Sequence, residues 1–396
     1  MRIRVGKIAS LSWRVALIGL TTTIILWTLF GFRLRSLSPG VSPKEQEIVS
    51  KQHSLSMIMS NPVYAPYNSS QLILQKVNKR SVFVNRFASA LVVSSTVIAF
   101  FILLIHIATK RIAVFGTLLF ASSSFTLHFG RSGTTDMLPF VFVLFLAGCA
   151  HLAYGKKLHK TVLAGVLLCF GLLIYVPGLL WLLVPLLIWQ YRRILSVLQE
   201  QPLWFMLGFV SVAVISVLPL VWGTITNPSS LLELLLIPEQ LPSIKSFFNG
   251  FGLPFQHLFF KRQINPSYWL NPTPILDATL TILCMLGLYV ISFQKKLDRF
   301  WFLVVSFIIV SVFSGLGSIV LMPVFVVLIY VVITLGLALI MQQWQTVFPK
   351  NPFIKSITLS LSLALVVGSV GFQTTRYFRA WANSPATKKA MVQPRP

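Results

Sequence analysis

A chain of 396 residues with 33 Lys and Arg against 8 Asp and Glu, a formal net charge of +25, has the charge balance of a polyanion binder. The rest of the composition excludes that class. With 56% hydrophobic and 10% charged residues there is too much apolar surface for one soluble core, and most cations stand in short connections between apolar runs, as membrane topology requires.

The first residues, Met1-Arg-Ile-Arg-Val-Gly-Lys7, make a basic anchor, and residues 13–32 are long enough to cross hydrocarbon about 30 Å thick. No small-residue cleavage site follows, so this reads as a retained first helix. Residues 33–86 form a polar stretch with Ser-Pro-Gly, Asn-Pro and Asn-Ser-Ser signals, long enough to hold short interfacial helices in a first extracytoplasmic loop.

Further spans are predicted at 87–108, 112–129, 136–153, 161–176, 179–190, 203–223, 274–293, 300–316, 317–341 and 354–372. The basic clusters Lys110-Arg111, Lys156-Lys157, Arg192-Arg193, Lys295-Lys296 and Lys350/Lys355 then fall on one side, the cytoplasmic one. The expectation is an all-α, polytopic transmembrane bundle of about 11 spans in the plasma membrane. Residues 1–372 make a single integral domain, with a second extracytoplasmic loop at about 224–272. A basic polar tail at 373–396 lies outside and the N-terminus lies inside. No internal repeat, phosphate-binding glycine loop, GxSxG or HExxH is present. Cys149, Cys169 and Cys284 lie in apolar runs without CxxC or Cys/His spacing, which supports neither a disulfide framework nor a zinc site.

Sorted by this topology, Glu200 and Asp298 are inside, and Glu45, Glu47, Asp136, Glu233, Glu239 and Asp277 are outside or at the outer membrane edge. A carboxylate there suits a general base for a hydroxyl, and an arginine suits a phosphate held by two parallel hydrogen bonds. Arg131 and Asp136 stand in a short turn between two spans, costly neighbours for hydrocarbon. Each candidate also has a plainer reading. Asp136 with Thr134 and Thr135 can cap the following helix, and Arg131 can anchor a span end. Ser42-Pro43-Lys44-Glu45 has the form of a capping box, with Ser42 as N-cap and Glu45 at N3. Glu47 can be a solvated helix face. His53 and His128 can donate to a phosphate or serve packing. Asp277, one turn into a span, needs a partner, and an extracytoplasmic arginine or lysine is expected.

The stretch Thr117-Leu-Leu-Phe-Ala-Ser-Ser-Ser-Phe-Thr-Leu-His-Phe-Gly-Arg131-Ser-Gly-Thr-Thr-Asp136 resembles the second-to-third loop region of GT-C membrane glycosyltransferases. It is most similar to the protein O-mannosyltransferase and aminoarabinose-transferase-like branch. The resemblance implies transfer of a sugar from a polyprenyl-phosphate-linked donor to a hydroxyl acceptor on a protein, lipid or glycan, at the extracytoplasmic face. It further implies Glu45 as the loop acid that activates the acceptor, with Glu47 and Asp136 as the other catalytic candidates. Arg131 is then placed against the polyprenyl-phosphate leaving group; His128 and His53, by their own chemistry, are the further candidate phosphate contacts. No cofactor, resident metal or nucleic-acid partner is expected, though dependence on a divalent metal stays open. The competing class is a transporter, flippase or assembly scaffold, which calls for midplane charges, broken helices and internal symmetry.

Overall fold

The computed structural model describes residues 20–37, 39–50, 54–77, 82–154, 160–199, 201–260, 273–293, 297–347 and 352–391. Its regular structure is helical, with no strand element among the described residues. Helix α1 (Leu20–Gly31) ends in a π-helical turn, and its chain leads into the short helices α2 (Pro43–Ser50), α3 (Leu55–Ser60) and α4 (Ala65–Val77). These are the interfacial helices expected in the first loop. Next come α5 (Val82–Ile105), α6 (Lys110–Ser122), α7 (Ser124–Arg131), a 3-10 segment (Thr135–Val141) continuing into α8 (Phe142–Tyr154), α9 (Lys160–Leu173), α10 (Leu180–Gln199) and α11 (Leu203–Thr226). The second loop also folds into short helices, α12 (Ser229–Leu234), α13 (Ile244–Phe251) and α14 (Leu253–Phe259), before α15 (Ala278–Phe293), α16 (Leu297–Gly315), α17 (Met322–Val347) and α18 (Pro352–Thr375). A π-helical turn, Arg376–Trp381, prolongs α18, and α19 (Pro385–Ala390) closes the described chain.

Among the described residues, four stretches are long and apolar enough to cross a bilayer unaided: Val82–Ile105, Thr135–Leu152, Met322–Gln343 and Ser356–Trp381. Shorter apolar helices coincide with other expected spans, among them Leu20–Gly31, Val162–Leu173, Ala278–Phe293 and Phe300–Gly315. Their outward faces need hydrocarbon. Along α11, Leu203, Trp204, Ile215 and Ile225 are each more than 60% exposed, a row that water would not tolerate and lipid satisfies. The chain is a multi-pass membrane protein.

Between the lipid-facing rows the helices pack around an aromatic core. Phe120 contacts Phe100 at 4.5 Å and Tyr330 at 5.6 Å between ring centroids, joining α5, α6 and α17. The α15–α17 crossing is tighter still. A Cβ on Gly287 would stand 1.9 Å from the Val332 carbonyl oxygen, and one on Gly336 1.9 Å from that of Leu283. Small residues at a crossing let backbones touch where lipid offers no hydrophobic drive for association.

Two expectations need correction. The predicted span 112–129 is not one helix: α6 and α7 meet at Ser123 with a bend of 58°. Ser123 has ψ 129°, outside the helical range. The segment from 373, expected to be a polar tail, instead continues the last helix and buries Gln373, Arg376, Tyr377 and Trp381. Its alternation of amide, cation and aromatic residues is that of a helix entering a polar part of the core.

Candidate active site

Helix α2 is fastened by two adjacent residues. Its start is the capping box read from the sequence: the Glu45 N–H donates to Ser42 Oγ at 3.1 Å, and the Ser42 N–H donates to Glu45 Oε2 at 2.9 Å. The same carboxylate accepts from Arg86 Nε at Oε1 (2.8 Å), from Arg86 Nη2 at Oε2 (2.9 Å), and from the Gly133 N–H at Oε1 (2.8 Å). Arg86, one turn into α5, completes its own set with the carbonyls of Gly40 at 2.9 Å and Leu34 at 3.4 Å. Both side chains are about 95% or more buried, at 3% and 5% exposure. Burial pushes the Glu45 carboxyl up, and the bonds and charge of Arg86, with Gly133 and Ser42, outweigh it and hold the group below the usual carboxylate range.

Lys44, the neighbour of Glu45, points elsewhere. Its Nζ donates to Asp136 Oδ1 at 2.5 Å, and Thr134 Oγ1 donates to Asp136 Oδ2 at 3.1 Å. This pair is only half-buried, with Lys44 30% and Asp136 20% exposed. Asp136 opens the 3-10 segment before α8, where Thr134 is the N-cap without a side-chain cap bond. Two tyrosines frame the turn, Tyr64 half-buried and Tyr67 buried. Burial, with Asp136 and Glu233 next in order, raises the Tyr64 phenol, and burial with Glu45 and Asp136 raises that of Tyr67. Both therefore stay protonated donors, and Tyr67 OH reaches the Gly133 carbonyl at 3.4 Å.

Arg131, at the end of α7, is buried to 4% exposure. Its Nη1 donates to the carbonyls of Leu29 (3.1 Å) and Phe30 (3.0 Å), and Nη2 to that of Phe32 (2.6 Å). These are the carbonyls that the end of α1 leaves without intrahelical partners, and a cation there also complements the helix dipole. The guanidinium further stands 5.1 Å from the Phe378 ring and 5.7 Å from that of Tyr377. His128, one turn earlier, packs edge-on against Trp381 at 5.0 Å, and Trp381 stacks on Tyr377 at 5.1 Å.

A second buried network ties the last helix to the break at Ser123. Gln373 Oε1 accepts from Ser124 Oγ (2.6 Å) and from the Ser124 N–H (3.2 Å), while its Nε2 donates to Asp277 Oδ2 at 2.9 Å. Asp277 Oδ1 accepts from the Leu280 N–H at 2.9 Å. Asp277 is thus bonded to a helix start and an amide, and its cationic neighbour Arg376 acts on it through charge.

The structure brings Glu45, Asp136, Arg131 and His128 to one end of the bundle, but in different roles. Glu45, Arg131 and His128 are buried in contacts that hold α1, α2, α7 and the C-terminal turn together. Glu47 stands on the exposed side of α2, and His53 lies outside the described residues. Lys44 and Arg86 do not stand out in the sequence by scarcity, as the eight acids do among 33 cations. The signal for Arg86 was there, a cation inside an apolar run, which calls for a buried partner. Among the described residues no three His, Cys, Asp or Glu side chains form a group able to hold a metal ion.

This arrangement of helices occurs in solved structures. ArnT from Cupriavidus metallidurans bound to undecaprenyl phosphate matches over 96% of this chain and 77% of its own, with a TM-score of 0.52 and 12% identity. The apo form of the same protein matches over 97% and 78%, with a TM-score of 0.53. The chain has the ArnT fold. That is the fold expected from the resemblance at 117–136, carried by architecture at an identity too low to transfer residues. No protein-family model matches the chain, and neither does any curated protein sequence.

Proposed function

We propose that the chain is a membrane glycosyltransferase that moves a sugar from a polyprenyl-phosphate carrier to a hydroxyl acceptor, with Asp136 as general base and Lys44 as the cation beside the leaving phosphate. The observation that carries this reading is the contrast between the two carboxylates: every oxygen of Glu45 is engaged in a fully buried ion pair, whereas Asp136 meets a flexible lysine in a half-buried pair that solvent reaches. The ArnT fold supports it, since ArnT has been crystallised with undecaprenyl phosphate.

In the proposed reaction the acceptor O–H gives its proton to the Asp136 carboxylate while its oxygen attacks C1 of the sugar. The bond from C1 to the phosphate oxygen breaks, and its electron pair leaves with the polyprenyl phosphate. Lys44, a point charge on a flexible stem, moves from Asp136 to that phosphate, which frees the carboxylate as leaving-group charge develops. Arg131 is a positioning residue in this account, because both terminal nitrogens of its guanidinium donate to carbonyls at the end of α1. Sugar and acceptor follow from assay, not from these residues.

The test is turnover by the full chain in lipid nanodiscs, read as free undecaprenyl phosphate released from undecaprenyl-phosphate-linked mannose or aminoarabinose with hydroxyl acceptors supplied. Acceptor-dependent release is expected from one donor. Binding of these lipids without release, or their passage between leaflets without cleavage, contradicts the transferase reading.

A further inference from the structure

The end of the bundle opposite Asp136 holds a second polar recess. A cavity of about 610 Å³ lies where α6 begins between α17 and α18, lined by Thr109, Lys110, Arg111, Gln342, Ser356 and Thr358 above apolar side chains. That volume is within the range of ligand sites, roughly 300–1,000 Å³. No acid lines it. Lys110 and Arg111 are both exposed, and among the described residues neither forms an ion pair. Thr109, the N-cap of the 13-residue α6, makes no side-chain bond to the first turn, so the helix's first N–H groups are left uncapped by it. Two unpaired cations, the positive end of a helix and several hydroxyls converge on one recess, the chemistry that recognises a phosphate.

Hydrocarbon chemistry adjoins it. Leu359, in the wall of the recess, is 38% exposed and begins a row up the lipid side of α18 that continues through Leu363 (48%) and Val367 (59%). Residues at i, i+4 and i+8 form one stripe along a helix. A phosphate seated in the recess therefore has an acyl-chain track leading from it into the bilayer. A soluble phosphate would use the first feature and have no use for the second.

We propose that this recess binds an anionic phospholipid of the adjoining leaflet. Its phosphodiester sits between Lys110, Arg111 and the start of α6, and an acyl chain lies along Leu359, Leu363 and Val367. Basic pockets between membrane helices bind anionic headgroups by the same physics.

The test is native mass spectrometry of the full chain with dioleoyl phosphatidylglycerol, dioleoyl phosphatidylcholine or inorganic phosphate. Each variant is first matched to wild type by thermal unfolding in phosphatidylcholine. Wild type is expected to retain phosphatidylglycerol preferentially, and Lys110→Gln/Arg111→Gln to bind it roughly 30-fold more weakly, two cations' worth of attraction. Gln342→Trp keeps both cations but fills the recess, and it is expected to lose the preference too. Arg192→Gln, an exposed cation of α10 outside the recess, is expected to behave as wild type. Unchanged phosphatidylglycerol binding in the double variant or in Gln342→Trp overturns the site. Displacement of the lipid from wild type by millimolar inorganic phosphate overturns the lipid as its ligand.

Discussion

Lys44 and Glu45 are neighbours in α2, yet one reaches a half-buried carboxylate and the other a fully buried arginine, and the difference in burial sets what each does. Removing one partner of a buried ion pair costs about 3–5 kcal/mol because the other charge is stranded. Glu45→Gln is therefore expected to lower thermal stability strongly by leaving Arg86 stranded. The pH dependence follows from the same contacts. The folded Glu45 carboxyl lies below its ordinary value of 4.5, so its stabilisation is complete above that value and is lost as pH falls through the lower folded value. The unfolding temperature of wild type, followed by circular dichroism, should be insensitive to this group at neutral pH and fall below 4.5, with a shallower acid slope in Glu45→Gln. An equal acid slope in both proteins contradicts the assignment. Arg131→Lys tests the neighbouring residue, since an ammonium cannot serve the carbonyls of Leu29, Phe30 and Phe32 with the reach of a planar fork. Charged hydrogen bonds are worth about 1.5–3 kcal/mol each, and a loss of that order is expected in chemical denaturation. A lysine variant of wild-type stability would reject the anchoring role.

At the scale of elements, long apolar helices and the α2 capping box were legible because hydropathy and local spacing encode them. The break at Ser123 was not, because the apolar run passes through it unchanged and only the ψ of one serine and the distant Gln373 reveal it. The C-terminal turn escaped for a related reason. A cation-bearing stretch after the last span satisfies tail composition, while the burial of Arg376, Tyr377 and Trp381 depends on α7 arriving beneath them. Likewise the sequence marked Arg131, but could not say that its Nη1 and Nη2 would donate to the carbonyls of Leu29, Phe30 and Phe32. These contacts make the last turn structural. Gln373→Leu leaves the Ser124 N–H, Ser124 Oγ and Asp277 Oδ2 without this partner, at about 1–3 kcal/mol for each buried group stranded. Truncation after Phe372 should abolish the sharp unfolding transition seen by differential scanning fluorimetry. A truncated chain that melts like wild type would restore the tail reading.

For the whole molecule, the architecture places the first loop, the Arg131–Asp136 turn, the second-loop helices and the C-terminal turn at one end. The bonds from Arg86 to Glu45, from Gly178 N–H to the Leu234 carbonyl (2.8 Å) and from Arg376 to the Thr273 carbonyl (3.0 Å) join segments remote in sequence there. The positive-inside pattern predicts that this end is extracytoplasmic. In a background lacking the native cysteines, an impermeant thiol reagent on intact cells should label Ser54→Cys and leave Arg192→Cys unlabelled. The reverse pattern inverts the orientation. The most direct measurement compares turnover of undecaprenyl-phosphate-linked sugar by Asp136→Asn and Glu45→Gln, each normalised to folded protein. The account predicts a loss of roughly 100–10,000-fold in Asp136→Asn, as for removal of a general base, with stability kept. Glu45→Gln should instead lose stability and retain most of its turnover per folded molecule. A folded Asp136→Asn that turns over like wild type, beside a folded but inactive Glu45→Gln, would contradict it.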